Sequence, residues 1–331
     1  MISKSNTKRK CIFKLPKATS VCIQLLDYVW APMGYFAIPT IAFLNCCSFT
    51  AYSYVTEMDL MLSNGSILTV SSDKDLELFQ AALCSLGSFG IILNVTFQCE
   101  TAFNLLLRQY GLPLKDVIEN LDVHISGSDH FRFMWFPYTD SVVVSHATRT
   151  ELPATKDTWF RKIWTYCWDY GVGYHLLELC YYLSTYLPHV VPYINRFFYM
   201  THSAFSRKID RSYRILNFEC LFKQYVNEWA IPLEKTGVVL WQLREWVETI
   251  PDLYVHFPVE VRFSKADNIF LSPAFGRNTC YINVVMYRPY GKDVPYQEYF
   301  QAFERIMMEA GGRPHWAKLK FKRCLCVMKS T

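Results

Sequence analysis

Residues 58–310 switch repeatedly between a two-residue and a helical spacing of apolar side chains. The two-residue spacing predicts strands with one buried face, as over 131–137 and 255–263. The helical spacing predicts amphipathic helices, as over 234–249 and 296–310. Because the strands are joined by long connections with helices between them, the pattern favours an α+β fold over a regular strand–helix repeat.

The stretch 58–98 has the same mixed pattern on a smaller scale. Asn64-Gly65 lies between two strand-like runs, and this pair suits the left-handed conformations of a hairpin turn. Apolar residues at helical spacing then predict a helix over 73–86, and a β-rich run predicts a strand over 91–98.

The first 53 residues have a different composition. The first twenty carry six cations and no acid, and residues 28–56 carry no charge at all. The uncharged run exceeds the ~18–20 apolar residues of a membrane span, so a span over 28–50 is one interpretation. Pro32 and Pro39 weaken it. The alternative is that 1–53 is a divergent basic and apolar segment, foreign to the fold.

Charge and cysteine usage exclude several functions. The formal net charge is +5 without a cationic run in the body of the chain, so we expect no nucleic-acid partner. The 12 cysteines are scattered through apolar runs, where a thiol behaves as a small hydrophobe, and they make no disulfide framework. No His or Cys pair has the spacing of a zinc site, so we expect no metal.

A short strand-like run places opposite charges on one face. In residues 259–263, apolar side chains alternate with Glu260 and Arg262. Alternation directs both charged groups away from the core, about 6–7 Å apart along the strand. There the carboxylate can accept from substrate hydroxyls while the guanidinium donates to ring or carbonyl oxygens. The alternative, which the spacing alone favours, is a solvated cross-strand ion pair.

Two glycine-containing segments are further candidates. Gly311-Gly312 opens a loop that runs through His315 to Lys318, whose ammonium group could stabilise negative charge on a reduced cofactor. Taken alone, it is an ordinary loop. The small residues of 85–91 let the backbone approach a flat or phosphorylated ligand, although a structural tight turn is the commoner explanation.

Residues 159–200 are rich in Trp, Tyr and Phe and are predicted to be largely helical. Charged residues and two prolines interrupt them, so no uncharged run reaches spanning length. The composition favours an element lying on a membrane surface. A buried helical layer is the alternative.

Together these pieces resemble one family, the aldonolactone oxidases of the vanillyl-alcohol-oxidase type. The resemblance runs from about Glu57 to Lys318, and its most specific parts are 288–295 and 315–318. The matching segments are FRFMWFP (131–137), WAIPLEKT (229–236), PVEVRF (258–263), LSP (271–273), MYRPYGKDVP (286–295) and GGRPHWAK (311–318).

The resemblance implies a flavoenzyme with FAD as its cofactor. Residues 54–100 would be the C-terminal part of an FAD-binding domain, and 101–318 a substrate domain built from an antiparallel sheet and helices. The implied reaction is oxidation of an aldonolactone, such as L-gulono-1,4-lactone, by oxygen to give ascorbate and hydrogen peroxide. The implied location is the endoplasmic reticulum membrane.

Carried onto matching positions, the resemblance implies that Glu260 and Arg262 hold the substrate hydroxyls. Lys318 would lie by the N1–C2 edge of the flavin and complete the catalytic group. Asn283, on a neighbouring strand, and His315 would contact the substrate. The positions that would lie against the cofactor are Gly87, Gly90 and Ile91.

The sequence departs from the family pattern at both ends. The pyrophosphate-binding loop and the flavin-anchoring histidine would lie upstream of Glu57, and 1–53 contains neither; 319–331 is a divergent tail. We therefore expect this chain alone to bind FAD poorly. Three interpretations stay open: an FAD-linked lactone oxidase, a non-catalytic membrane-associated fragment of such an oxidase, and a membrane-anchored binding protein, which rests only on 28–56.

Overall fold

The computed structural model describes residues 9–14, 54–155, 158–216, 222–316 and 318. For the first of these ranges, and for a few positions in helices, it describes the backbone alone. The strands of this part of the chain form two antiparallel sheets, one small and one large, and helices pack against them. This is the α+β architecture that the alternating periodicities predict.

The small sheet has the strand order β1-β4-β2-β3. Its elements are β1 (Arg9–Lys14), β2 (Val55–Met61), β3 (Ile67–Ser71), helix α1 (Leu76–Leu83) and β4 (Ile91–Cys99). The predicted hairpin, helix and strand are thereby confirmed. β1 pairs with β4 along its full length, so these six residues of the N-terminal segment belong to the sheet. The candidate span over 28–50 lies outside the described residues.

Local sequence explains the small sheet. Gly65 has φ +81°, the left-handed conformation that the hairpin turn needs. The Asn64 side chain accepts a hydrogen bond from the Ser66 N–H at 3.0 Å, which closes the turn. Asp75 begins α1 by accepting from the Leu78 N–H at 3.1 Å.

The large sheet has the strand order β12-β9-β11-β10-β6-β7-β5-β8, and all paired neighbours are antiparallel. Its strands are β5 (Asn104–Pro113), β6 (His130–Trp135), β7 (Ser141–Thr150), β8 (Ser206–Arg211), β9 (Gln224–Pro232), β10 (Val259–Ser264), β11 (Thr279–Tyr287) and β12 (Arg313–Pro314). The accompanying helices are α2 (Leu114–Glu119), α3 (Leu121–Ser126), α4 (Trp159–Tyr166), a π-helix (Cys167–Leu176), α5 (Leu177–Ser184), α6 (Val191–His202), α7 (Ser212–Leu216), α8 (Thr236–Thr249) and α9 (Gln297–Glu309).

The two faces of the large sheet are covered differently. On one face α2, α8 and α9 pack onto the strands and form the main core, with fully buried residues such as Val261, Leu240 and Phe303. On the other face α5 and α6 pack over one end of the strands, around Val285 and Tyr287. Two residues earlier on β11 this second face becomes polar, and the candidate site lies there.

The aromatic segment 159–200 is buried in one part and exposed in another. The inner faces of α5 and α6 form a buried layer, with Tyr181 and Phe198 in the core. The stretch ahead of them is exposed: Trp159 has 74% of its surface exposed and Trp164 62%. Within the part of the chain that the structure describes, no helix is both long and apolar enough to cross a membrane.

Candidate functional site

The strand register brings the predicted site residues together on the polar face of the large sheet. Glu260 on β10 lies opposite Asn283 on β11, and Asn283 lies opposite Glu228 on β9. Two residues along, Arg262 lies opposite Arg132 on β6. Alternate residues of β10 pack into the core beneath, as the sequence pattern predicted, so the charged side chains share the other face.

Four of these side chains form an alternating row of charges. Arg132 Nη1 lies 3.4 Å from Glu260 Oε1, and Arg262 Nε lies 3.9 Å from Glu260 Oε2. Arg262 Nη2 also donates a short hydrogen bond to Glu228 Oε1. Because the Glu260 and Arg262 side chains are only 13% and 14% exposed, they do not form the solvated ion pair that spacing alone favoured.

Glu228 is the most buried member of the row, with a side chain that is 0% exposed. Burial opposes its ionisation, but the charges of Arg262, His315 and Lys318 outweigh burial and lower the Glu228 pKa to about 2. The carboxylate is therefore negatively charged at neutral pH.

The C-terminal loop reaches the same row along the sheet edge. β12 pairs with β9, and the strand-like path continues as the His315 N–H donates to the Glu228 carbonyl at 3.0 Å. The Lys318 N–H in turn donates to the His315 carbonyl at 3.0 Å. Burial lowers the pKa of His315, and the negative charge of Glu228 acts against that shift.

The same loop is fixed by the turn at 271–273. Trp316 Nε1 donates to the Leu271 carbonyl at 2.6 Å. Cys84, just after α1 of the small sheet, contacts the same carbonyl through its Sγ at 3.7 Å. The turn therefore connects the loop that carries Lys318 to the segment just before Gly87.

The glycine positions predicted to contact a cofactor have structural roles of their own. Gly87 has φ +80° and Gly90 φ +140°, conformations that side-chain-bearing residues rarely adopt. A Cβ at Gly90 would lie 2.4 Å from the Met61 carbonyl oxygen. Ile91 begins β4 opposite Met61. Gly87 and Gly90 lie in the turn before β4 and Ile91 is the first residue of β4, so these three positions are next to or in the small sheet, whereas the other five predicted positions converge on the large one.

Two charged members of the row were not singled out from the sequence. Arg132 lies within a segment that carries the family resemblance, but nothing in its spacing gave it a role. Glu228 lies in a strand-like run and shares a face with the apolar residues Val226 and Ala230. A charged residue between apolar neighbours on one strand face is the signal that could have found it. Only the strand register shows that this face also carries Asn283 and Glu260.

Two buried acceptors at the site have no hydrogen-bond donor among the described residues: Asn283 Oδ1 and Glu228 Oε2. A buried acceptor left without a donor costs roughly 1–3 kcal/mol. Hydroxyl groups of a bound ligand would remove that cost, so the row suits a polyhydroxylated molecule.

A hollow of about 410 Å³ lies at a different place, beside the β6–β7 turn. Its lining includes Tyr138, Arg196 and Arg244, and none of the predicted site residues. Arg244 is paired there with Asp140 and with Glu248.

Comparison with known proteins identifies the fold first. A solved structure described as a solvent-stable cholesterol oxidase superposes with a TM-score of 0.61 at 12% sequence identity, covering 81% of this chain and 59% of that one. At this identity the likeness shows a shared fold.

Sequence comparison then gives the family. A family model described as D-arabinono-1,4-lactone oxidase matches residues 95–323, and the chain belongs to this family. An L-gulonolactone oxidase from Scyliorhinus torazame is 46% identical over 266 residues, and one from Mus musculus is 44% identical over 266 residues. The matches cover 80% of this chain, which spans 59% of the length of either relative.

Proposed function

We propose that this chain carries the substrate site of an aldonolactone oxidase, which oxidises L-gulono-1,4-lactone or a related aldonolactone with oxygen and yields ascorbate and hydrogen peroxide. The main support is the buried row Arg132–Glu260–Arg262–Glu228, with the Asn283 acceptor beside it, which has no donor in the described part of the chain. Family membership and the curated relatives support the reaction type.

The roles follow from the chemistry of each group. Glu260 accepts hydrogen bonds from the lactone hydroxyls, since both of its contacts with arginine are long and leave its oxygens accessible to another donor. Arg262 donates to the ring or carbonyl oxygens of the lactone. Asn283 accepts from a second hydroxyl through its Oδ1. His315 lines the same site from the C-terminal loop.

FAD is the proposed cofactor, and the charge balance of the site fits it. Arg132, Arg262 and Lys318 supply three positive charges against the two carboxylates of Glu228 and Glu260. This cationic excess favours a group that becomes anionic when reduced. When bound, the flavin supplies the acceptor for hydride from the hydroxyl-bearing carbon. Lys318 would offer its ammonium charge beside that group, while Glu260 and Arg262 orient the lactone.

The domain division is part of the same proposal. Residues 54–100 would be the C-terminal part of the FAD-binding domain, and 101–318 the substrate domain. The change from the small sheet to the large one falls between Cys99 and Asn104, which supports that boundary. In this scheme Gly87, Gly90 and Ile91 lie on the cofactor side.

We also propose that the chain associates with the surface of a membrane, and in cells with the endoplasmic reticulum. The support is an exposed aromatic stretch on α4 and the π-helix. Its exposed members are Trp159, Phe160, Trp164, Tyr166, Trp168 and Tyr170. Trp and Tyr favour the membrane interface, and the sequence of α4 adds two cations and no acid, which suits anionic lipid.

Vesicle sedimentation tests the membrane association. The wild-type chain should sediment with phosphatidylcholine vesicles that contain phosphatidylserine, and Trp164→Glu should sediment less. Val123 on α3 is 68% exposed and gives a matched control, Val123→Glu, which should behave as wild type. If Trp164→Glu and wild type sedimented equally, this aromatic stretch would not be the part of the chain that contacts the membrane.

The reaction is tested by peroxide formation. The purified chain is supplied with excess FAD and L-gulono-1,4-lactone in air, and lactone-dependent hydrogen peroxide is measured. We expect peroxide from wild type and at least about 100-fold less from Glu260→Gln. Lactone binding without peroxide would instead support the second candidate function, a membrane-associated fragment that keeps the substrate site but does not turn over. Absence of both would reject the proposal.

A further inference from the structure

We propose that Glu228 is a positioning residue: its carboxylate holds Arg262 away from Glu260, and its charge and backbone carbonyl together hold the loop that carries His315 and Lys318 at the site. Glu228 lies outside the roles that the sequence assigned. The inference deepens the proposed function, because it explains how Glu260 stays available to a substrate. Its charge effects can be measured without lactone or flavin.

The first support is the path of the Arg262 side chain. β11 lies between β10, which carries Arg262, and β9, which carries Glu228. Two strand spacings separate them, about 9–10 Å. Arg262 nevertheless donates a short hydrogen bond to Glu228, while its contact with Glu260 on its own strand is 3.9 Å long. The distant carboxylate therefore holds the guanidinium more tightly than the near one.

The consequence concerns Glu260. Its two contacts, with Arg132 at 3.4 Å and with Arg262 at 3.9 Å, are too long to be strong charge-assisted hydrogen bonds. If the Glu228 charge were removed, Arg262 would be free to shorten its contact with Glu260. Glu260 would then be occupied by an arginine rather than by a hydroxyl, and the lactone would have to displace it.

The second support is the charge that Glu228 exerts on the C-terminal loop. Glu228 is ionised, and the charges of His315 and Lys318 both act on it. The His315 N–H also donates to the Glu228 backbone carbonyl at 3.0 Å, so the loop follows β9 at this residue. Without the negative charge of Glu228, the Arg262 and Lys318 cations that act on it would be less well compensated.

The test compares Glu228→Gln with wild type by three measurements on the purified chain. We expect the dissociation constant for L-gulono-1,4-lactone, measured by calorimetry, to rise about tenfold. We expect the titration midpoint of the His315 ring, followed by NMR, to move downward, because Glu228 raises the His315 pKa. Backbone amides of His315 and Lys318 should exchange faster with deuterium.

Two variants separate positioning from general destabilisation. Glu304→Gln is the matched control, because Glu304 on α9 accepts from Asn227 at 2.8 Å on the opposite face of the same strand. It should leave lactone affinity and the His315 midpoint unchanged. Glu228→Asp keeps the charge but shortens its reach, so the His315 midpoint should stay near the wild-type value while lactone affinity falls. If Glu228→Gln does not fold, the aspartate variant decides.

The outcomes are distinguishable. The proposal would be overturned if Glu228→Asp bound lactone with wild-type affinity. It would also be overturned if Glu228→Gln kept both the wild-type His315 midpoint and the wild-type lactone affinity. If the wild-type chain binds no lactone, the proposed function fails, whereas the His315 titration and the amide exchange still decide whether Glu228 organises the loop.

Discussion

Arg262 reaches across an intervening strand to the fully buried carboxylate of Glu228, and this contact is closer than its contact with any other carboxylate described. The guanidinium thus joins two strands through a charge that water cannot screen well. The geometry depends on the length and fork of arginine, which leads to the first prediction.

Arg262→Lys should weaken lactone binding although it keeps the positive charge. An ammonium group cannot donate to Glu228 and lie beside Glu260 in the planar arrangement of a guanidinium. We expect about tenfold weaker lactone binding, measured by calorimetry, and a loss of roughly 1–3 kcal/mol in urea unfolding, because the Glu228 charge becomes poorly paired. Exposed Arg305 on α9 provides the control: Arg305→Lys should change neither quantity. Wild-type affinity in Arg262→Lys would argue against a role for the fork.

Asn283→Leu should separate binding from stability. Its buried Oδ1 has no donor among the described residues, so an apolar side chain of similar size should raise the free energy of unfolding by about 1 kcal/mol. The same change removes an acceptor for a lactone hydroxyl, so affinity should fall about tenfold. Asn227→Leu, on the opposite face, should leave affinity unchanged. A stabilised Asn283→Leu variant with wild-type affinity would remove Asn283 from the substrate site.

Protonation of His256 should limit stability in acid. Burial lowers the pKa of His256 from 6.5 to about 3, and its Nδ1 accepts from the Tyr287 N–H at 2.9 Å, which requires the neutral ring. The contribution is therefore fully present above pH 6.5 and is lost as the pH falls toward 3. The fall in pKa from 6.5 to about 3 corresponds to a total of about 5 kcal/mol.

The matched variant is His256→Asn, whose amide oxygen can accept from the same N–H but does not titrate. Urea unfolding between pH 7 and 4 should show a flatter stability profile for this variant than for wild type. Parallel profiles would mean that other groups control the loss of stability.

Gly90→Ala should destabilise the small sheet. Gly90 has φ +140°, and an added Cβ would lie 2.4 Å from the Met61 carbonyl oxygen, so a methyl group requires backbone movement. We expect a loss of roughly 2–3 kcal/mol, measured by thermal or urea unfolding. Gly276 also has a positive φ, +71°, but open space around it, so Gly276→Ala should cost only about 1 kcal/mol. Equal losses would show that conformation alone, rather than the close contact, decides the cost.

The sequence was most informative where the physics is local. Alternation in 259–263 identified the face shared by Glu260 and Arg262, and Asn64-Gly65 located the first hairpin turn. Both signals depend on neighbouring residues only, so they do not require knowledge of which strands pair.

What the sequence could not supply is strand order. Glu228 joins the site because β9 pairs with β11 rather than with β10, the next strand along the chain. That choice depends on contacts between segments far apart in sequence, which periodicity does not encode. β5 was also missed, because Asn104–Pro113 has no clean alternation and contains both Gly111 and Pro113.

Calorimetric titration of the purified chain with L-gulono-1,4-lactone tests most directly whether the polar face of the large sheet is a lactone site. We predict saturable one-to-one binding to wild type, at least about tenfold weaker binding to Glu260→Gln, and wild-type binding to Glu304→Gln. Binding that is absent from wild type, or equal in wild type and Glu260→Gln, would contradict the assignment of this face as the lactone site.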